Sequence, residues 1–305
     1  MLVSIVVPTF NRLTCLDRAL ESISFQTETR FEVVVVNDGG ANASDVIARW
    51  ARQMSIQYID LPLNAGLARA RNMAIQCALG DVLCFLDDDD VMLAGHLKAG
   101  AEQLARADTD AVHTHVAVCD QFIAAGAGPT ADQIKAHYDA AFDGRLLQIC
   151  NFMPVNAVFI RKREDVPIVF DEDLRQLEDW DLWLRLHVNY GYRFSTVPMT
   201  TTVYHRLPGS GSMTDASHSS ADAALRFRES FRAVMSRYPS DDSVVRQGRE
   251  LHDHYYGVVA QASASGKGEP PFLYERFVAL MDAFVRQRID GASVRQQIDS
   301  LFRER

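Results

Sequence analysis

The stretch "DVLCFLDDDDVMLAGHL", residues 81–97, decides the fold: an apolar run ends abruptly in four consecutive carboxylates, Asp87, Asp88, Asp89 and Asp90. "DVLCFL" is nearly free of polar side chains, as a strand covered on both faces requires. In open α/β sheets, ligands sit just outside the carboxyl ends of such strands. Four adjacent acids repel one another, and burying one unpaired carboxylate costs roughly several kcal/mol. Two readings answer that repulsion. The run holds a hard divalent cation, which oxygen ligands suit, or it is an acidic turn in which Asp90 faces the positive N-terminus of the next helix.

The flanking segments supply the rest of the sheet. "LVSIVV" (2–7), "FEVVVV" (31–36) and "SIQYIDL" (55–61) read as strands. Between the first two, Leu13, Leu16, Leu20 and Ile23 share a helical face, with Asn11 or Thr14 as its cap. "AGLARARNMAIQCAL" (65–79) reads as a helix stopped by Gly80. This alternation predicts a parallel sheet flanked by helices over residues 1–90. Beyond it, "LAGHLKAGAEQLARA" (93–107) reads as a helix, "AVHTHVAVC" (111–119), "NAVFI" (156–160) and "YRFSTV" (192–197) as strands, and "LEDWDLWLRLHVNYG" (177–191) as a helix ended by glycine. The Ala-, Gly- and Asp-rich segment from Ala124 to Ala140 receives no element, and from about Ser217 the pattern is helical.

Composition narrows the function. The chain has 305 residues, 48% of them hydrophobic and 23% charged, the balance of a folded globular protein. A net charge of -9 argues against nucleic acid as a partner, since phosphate neutralisation by Lys and Arg dominates that affinity. The five cysteines (15, 77, 84, 119 and 150) show no C-x-x-C spacing and read as reduced thiols of a cytoplasmic protein. "MLVSIVVPTF" lacks a basic leader and meets Pro8 at once, so it reads as a strand and neither as a signal nor as a span.

Polar sets close the other predicted strands: Pro8, Thr9, Asn11 and Arg12 after the first, Asn37 and Asp38 with two glycines after the second, and Asn64, Arg69, Arg71 and Asn72 at the start of the next helix. In a parallel sheet these converge on the edge that carries the acids, a cleft with donors, cations and carboxylates suited to a nucleoside diphosphate.

Taken in order, "SIVVPTFNR", "VVVNDGG", "NAGLARARN", "DVLCFLDDDD" and "LEDWDLWLRL" resemble the family 2 glycosyltransferases of GT-A fold over residues 1–215. The resemblance implies a nucleotide-diphospho-sugar transferase: a Rossmann-like α/β mixed sheet flanked by helices, with a nucleotide-binding half (1–90), an acceptor half (91–215) and a C-terminal helical extension (216–305). It implies donor contacts at Pro8, Thr9, Asn11, Arg12, Asp38, Arg71, Asp87 and Asp88. Asp87 and Asp89 become the D-x-D pair, with Asp89 the chief ligand of Mn²⁺ or Mg²⁺, and Asp179 becomes the general base of an inverting transfer. The expected partners are a UDP-, GDP- or dTDP-linked sugar and a glycan or lipid-linked acceptor, in cell-surface polysaccharide synthesis.

"TTVYHRLPGSGSMTD" (201–215) departs from the family, because His205 stands two places earlier than the family's histidine; it is either a metal ligand or a structural residue. Gly209 and Gly211 give that segment the freedom of a lid. His113 and His115 alternate on a strand, and Asp181 with Arg185 forms an i,i+4 pair. The arginine-bearing C-terminal helices fit either packing, as within a homodimer, or a peripheral contact with the inner face of a membrane. A sugar nucleotidyltransferase is the competing enzyme class, but "VPTFNRLTC" lacks that class's glycine-rich loop. A non-catalytic glycan- or nucleotide-sugar-binding module is the third reading. No G-x-G-x-x-G follows the first strand, against a nicotinamide enzyme.

Overall fold

The structure, a computed structural model, describes residues 1–28, 30–106, 108–207, 221–266 and 272–301. Gly209 and Gly211, and the lid expected there, lie outside the described residues.

The β-branched runs form a buried parallel sheet. Strands β1 (Val3–Thr9), β2 (Phe31–Asn37), β3 (Ile56–Asp60) and β4 (Val82–Phe85) lie in the order β3-β2-β1-β4. Helices α1 (Leu13–Ser24), α2 (Ser44–Trp50) and α3 (Leu67–Cys77) connect them. Leu16, Leu20 and Ile23 of α1 join the strand residues Val3, Ile5, Val7, Val33 and Val35 in one core cluster, the face that the 3.6-residue spacing predicts. Because β1, β2 and β4 are parallel, their carboxyl ends share one edge: Thr9 stands level with Asn37, and the acids begin two residues past Phe85.

Beyond β4 the sheet turns mixed. Strand β8 (Val158–Arg161) is antiparallel to β4, β6 (Ala111–Cys119) is antiparallel to β8, and β9 (Phe194–His205) runs parallel to β6. A two-residue β5 (Val91–Met92) pairs with β9, and β7 (Ile134–Tyr138) pairs with β6. Helix α4 (His96–Leu104) packs so closely here that a Cβ on Gly100 would lie 2.5 Å from the Phe159 ring.

Three local readings are corrected. Arg12 occupies the cap position of α1 without a side-chain cap bond; Asn11 instead adopts φ 56° and accepts the Ala41 N–H through Oδ1 at 2.8 Å. The strand expected to end at Val197 continues to His205, because Pro198, which has no N–H for the ladder, falls where the β6–β9 register shifts and pairing resumes at Thr200. The segment from Ala124 to Ala140 does contain a strand, β7, with alternating burial.

By its internal contacts the chain divides into two units, residues 1–141 with 153–205, and residues 142–152 with 206–305. In the first, α6 (Glu178–Leu184) passes into a π-helical turn over Arg185–Asn189. Trp183, fully buried, donates to the Met153 carbonyl at 3.2 Å. The second unit is helical: α5 (Gly144–Leu147), α7 (Ala221–Arg237), α8 (Ser243–Ala264), α9 (Leu273–Val285) and α10 (Gly291–Ser300). Asp143, Asp242 and Asp290 cap α5, α8 and α10 by accepting backbone N–H groups. His252 lies in its core against Phe231, Tyr256 and Phe277. Among the described residues, no helix is long and apolar enough to cross a membrane, and all five cysteines are free thiols.

Candidate functional site

The acid run divides into an inner and an outer pair. Asp88 is buried: it accepts from Thr9 Oγ1 at 2.7 Å, and Arg12 Nη2 lies 2.7 Å from its Oδ1. Asp90 is also buried, accepting from Asn156 Nδ2 at 2.7 Å and from the His205 N–H at 2.9 Å. Asp87 and Asp89 keep 24% and 15% of their side-chain surface. Burial pushes the Asp88 carboxyl up to about 7, with the Arg12 guanidinium opposing it. Burial, reinforced by the charges of Asp89 and Asp87, raises Asp90 well above the usual carboxylate range. Asp89 is raised as well, by burial foremost, although Arg12 Nη1 donates to it at 2.8 Å. The inner acids are thus held by the fold, and of the outer two Asp89 meets Arg12.

Arg71 connects the outer pair to the second acidic motif. Its side chain is 2% exposed, donating from Nη2 to Asp87 Oδ1 at 2.7 Å and from Nη1 to Glu178 Oε1 at 2.8 Å. Burial alone would lower its pKa, but the charges of Asp87 and Glu178 raise it. Glu178 opens α6, and Asp179, half-buried, follows at once. The resemblance offered Arg71 as a donor contact; the structure buries it, bonded to Asp87 of "DDDD" and Glu178 of "ED". The glutamate's part is absent from the sequence reading, which singled out Asp179 alone.

The other expected donor residues fall into two groups. Phe10 and Asn11 are exposed and Arg12 partly so at the end of β1, whereas Pro8 and Thr9 are buried. Asp38 is also buried, with Oδ1 accepting the Ala65 N–H at 2.7 Å and Oδ2 the Gly66 N–H at 2.9 Å, so it fixes the loop that starts α3. Gly39 (φ 71°) is required beside it, since a Cβ would lie 2.3 Å from the Leu63 carbonyl carbon. Asn72 pins the Phe170 backbone through both its amide nitrogen, at 2.9 Å, and its oxygen, at 2.7 Å. Arg69 stays exposed, 3.7 Å from Glu172.

His205 is corrected as a metal ligand in this structure. Its Nδ1 lies 2.7 Å from the Asp89 carbonyl and its Nε2 accepts the Ile123 N–H at 3.1 Å, which assigns the proton to Nδ1 and leaves neither nitrogen open to a cation. Burial lowers its pKa to about 4, so the ring is neutral and holds the Asp89 backbone in place. Phe122 packs on its edge. His113 is buried with Nε2 2.8 Å from Thr196 Oγ1, also a structural placement. Asp181 is buried too, 3.7 Å from its i,i+4 partner Arg185. Asn156, a lone amide heading the apolar run of β8, escaped the sequence reading although that isolation was its signal.

Among the described residues, no three His, Cys, Asp or Glu side chains gather to hold a metal. Two partly exposed carboxylates remain, Asp87 and Asp89. That donor set fits a hard cation which takes one or two protein carboxylates and completes its shell with substrate phosphate.

Comparison with known proteins agrees with the sheet. A profile of the family described as "Glycosyl transferase family 2" matches residues 4–165. The uncharacterized glycosyltransferase YwdF of Bacillus subtilis is 32% identical over 205 residues, 67% of this chain and 74% of its own. The amylovoran biosynthesis glycosyltransferase AmsB of Erwinia amylovora is 25% identical over 68% of this chain and 71% of its own. Some longer relatives are matched over as little as 26% of their length. Among solved structures, the mannosyltransferase PcManGT from Pyrobaculum calidifontis, in complex with GDP-Man and Mn²⁺, superposes with a TM-score of 0.63 at 18% identity, covering 99% of this chain and 88% of that one. The fold is therefore GT-A.

Proposed function

The chain belongs to glycosyl transferase family 2, and on that premise we propose that it is a metal-dependent, inverting transferase. It moves a sugar from a nucleoside diphosphate, UDP-, GDP- or dTDP-linked, to a hydroxyl of a glycan or lipid-linked acceptor. The observation that carries this reading is the join made by Arg71, which fixes Asp87 of the outer pair against the helix that begins with Glu178 and Asp179. The name of AmsB, an enzyme of amylovoran biosynthesis, supports polysaccharide assembly as the setting.

Asp89, with Asp87, would hold Mn²⁺ or Mg²⁺, which when bound offsets charge on the departing diphosphate. Asn11 and Arg12 border the donor from the exposed end of β1, while Thr9, Asp38, Arg71, Asp88 and His205 position the groups that do. Asp179 takes the proton of the acceptor hydroxyl as that oxygen bonds to the anomeric carbon, and the bond from that carbon to the donor's phosphate oxygen breaks with its electron pair. One displacement inverts the anomeric centre; a retaining glycosidase would need a second carboxylate as nucleophile about 5 Å from the first. Residues 1–90 serve the donor and 91–215 the acceptor, with 216–305 as the helical extension.

An Asp179→Asn variant tests the assignment. Once a donor and acceptor are found, kcat falls about 10²–10⁴-fold with donor affinity little changed, and proton NMR of the wild-type product shows the inverted anomer. Unchanged kcat, or retention of configuration, contradicts the reading.

A further inference from the structure

We propose that the C-terminal helical unit carries an anion site of its own, a cleft that takes a phosphate or diphosphate group between α7, α8 and α10. This goes beyond the transferase reading and shares no residue with the carboxylate site. The cleft measures about 700 Å³ and is lined by Arg228 and Arg232 of α7, Arg249 of α8 and Arg295 of α10. Only Glu250 and Asp253 oppose them, so the lining holds a surplus of two positive charges, counting histidine as neutral, in a chain whose net charge is -9.

The charges are arranged and not merely dense. Asp253 gathers two arginines: Arg228 donates to it at 3.0 and 2.6 Å, and Arg232 at 2.7 and 2.9 Å, each in bidentate fashion. One carboxylate therefore fixes two guanidinium groups and leaves one positive charge over. Arg249 is held differently, by the carbonyls of Gln148 at 2.8 Å and Tyr238 at 2.7 Å. Its Nη2 is buried without a hydrogen-bond partner, and burial lowers its pKa with no carboxylate opposing. A buried guanidinium N–H lacking an acceptor is costly, and because this one is shielded from solvent an anion in the cleft meets it only as the Arg249 side chain turns outward. Arg295 is exposed at the rim, and among the described residues no ion pair engages it. Fixed guanidinium groups favour the multiple oxygens of phosphate over a single carboxylate. The buried Phe231 and Met235 beside them give the cleft an apolar wall.

Titration calorimetry of the whole chain with sodium pyrophosphate, in EDTA at low salt, is the test. Wild type binds, Arg249→Gln and Arg295→Gln each bind roughly tenfold more weakly, and added salt weakens all. Arg295 is exposed, so its variant keeps the test valid if Arg249→Gln fails to fold. Equal binding by both arginine variants, or no binding by wild type, overturns the proposal. Vesicles of phosphatidylglycerol, against phosphatidylcholine, separate the sources. Arginine-dependent vesicle binding that competes with pyrophosphate assigns the site to a membrane headgroup; pyrophosphate binding without vesicle binding assigns it to a free or saccharide-borne phosphate.

Discussion

Replacing Arg71 with Met leaves the stem's packing nearly intact and removes the charge that Asp87 and Glu178 share. The two bonds are 2.7 and 2.8 Å long, and the side chains are 2% exposed for Arg71, 8% for Glu178 and 24% for Asp87. Removing one partner of a buried pair strands the other, a loss of about 3–5 kcal/mol. For a domain of roughly 200 residues each kcal/mol moves Tm by about 2–4 °C, so Tm falls by about 6–20 °C. Urea unfolding and differential scanning calorimetry measure it. Arg71→Met combined with Glu178→Gln recovers about 1–3 kcal/mol, because the stranded carboxylate is then neutral. A single variant within about 1 kcal/mol of wild type, or a double variant with no recovery, would refute the join between the two acidic motifs.

Further outcomes follow from other parts of the site and the helical unit. Gly39→Ala, at φ 71° and with backbone 2.3 Å from the new Cβ, destabilises by more than about 1 kcal/mol in urea unfolding and weakens nucleotide binding, since the "NDGG" turn must shift. Thr9→Val removes the donor to buried Asp88 and costs about 1–3 kcal/mol in the same assay. His252 is held by burial at a pKa of about 3 against about 6.5 unfolded. The unfolded chain therefore binds the extra proton, and His252's contribution is complete above pH 6.5 and is lost, on the order of 4 kcal/mol, as pH falls towards 3. His252→Phe has a shallower loss of stability over that window; an unchanged slope contradicts it.

The parallel half was legible because each of its signals is local: "LVSIVV", "FEVVVV" and "DVLCFL" are continuous apolar strands, and Leu16, Leu20 and Ile23 keep helical spacing. What escaped depends on partners distant in sequence. Nothing near Arg71 reveals that Glu178, more than a hundred residues away, waits for its second nitrogen. The strand read over 192–197 left His205 outside it, whereas a bulge carries β9 past Pro198 to Asp90. Of the four acids, composition could not separate the buried Asp88 and Asp90 from the outer pair, since that division is made by Thr9, Asn156 and the His205 backbone.

The most direct measurement is the thermal stability of wild type and Asp89→Ala with UDP, GDP, dTDP or CMP, each with and without Mn²⁺. One nucleoside diphosphate, at about one hundred times its dissociation constant, stabilises the wild type by about 2.7 kcal/mol only when Mn²⁺ is present, and Asp89→Ala shows no such gain. A response that persists without metal or in Asp89→Ala, or the absence of any response in wild type, contradicts a donor site built on the outer carboxylates.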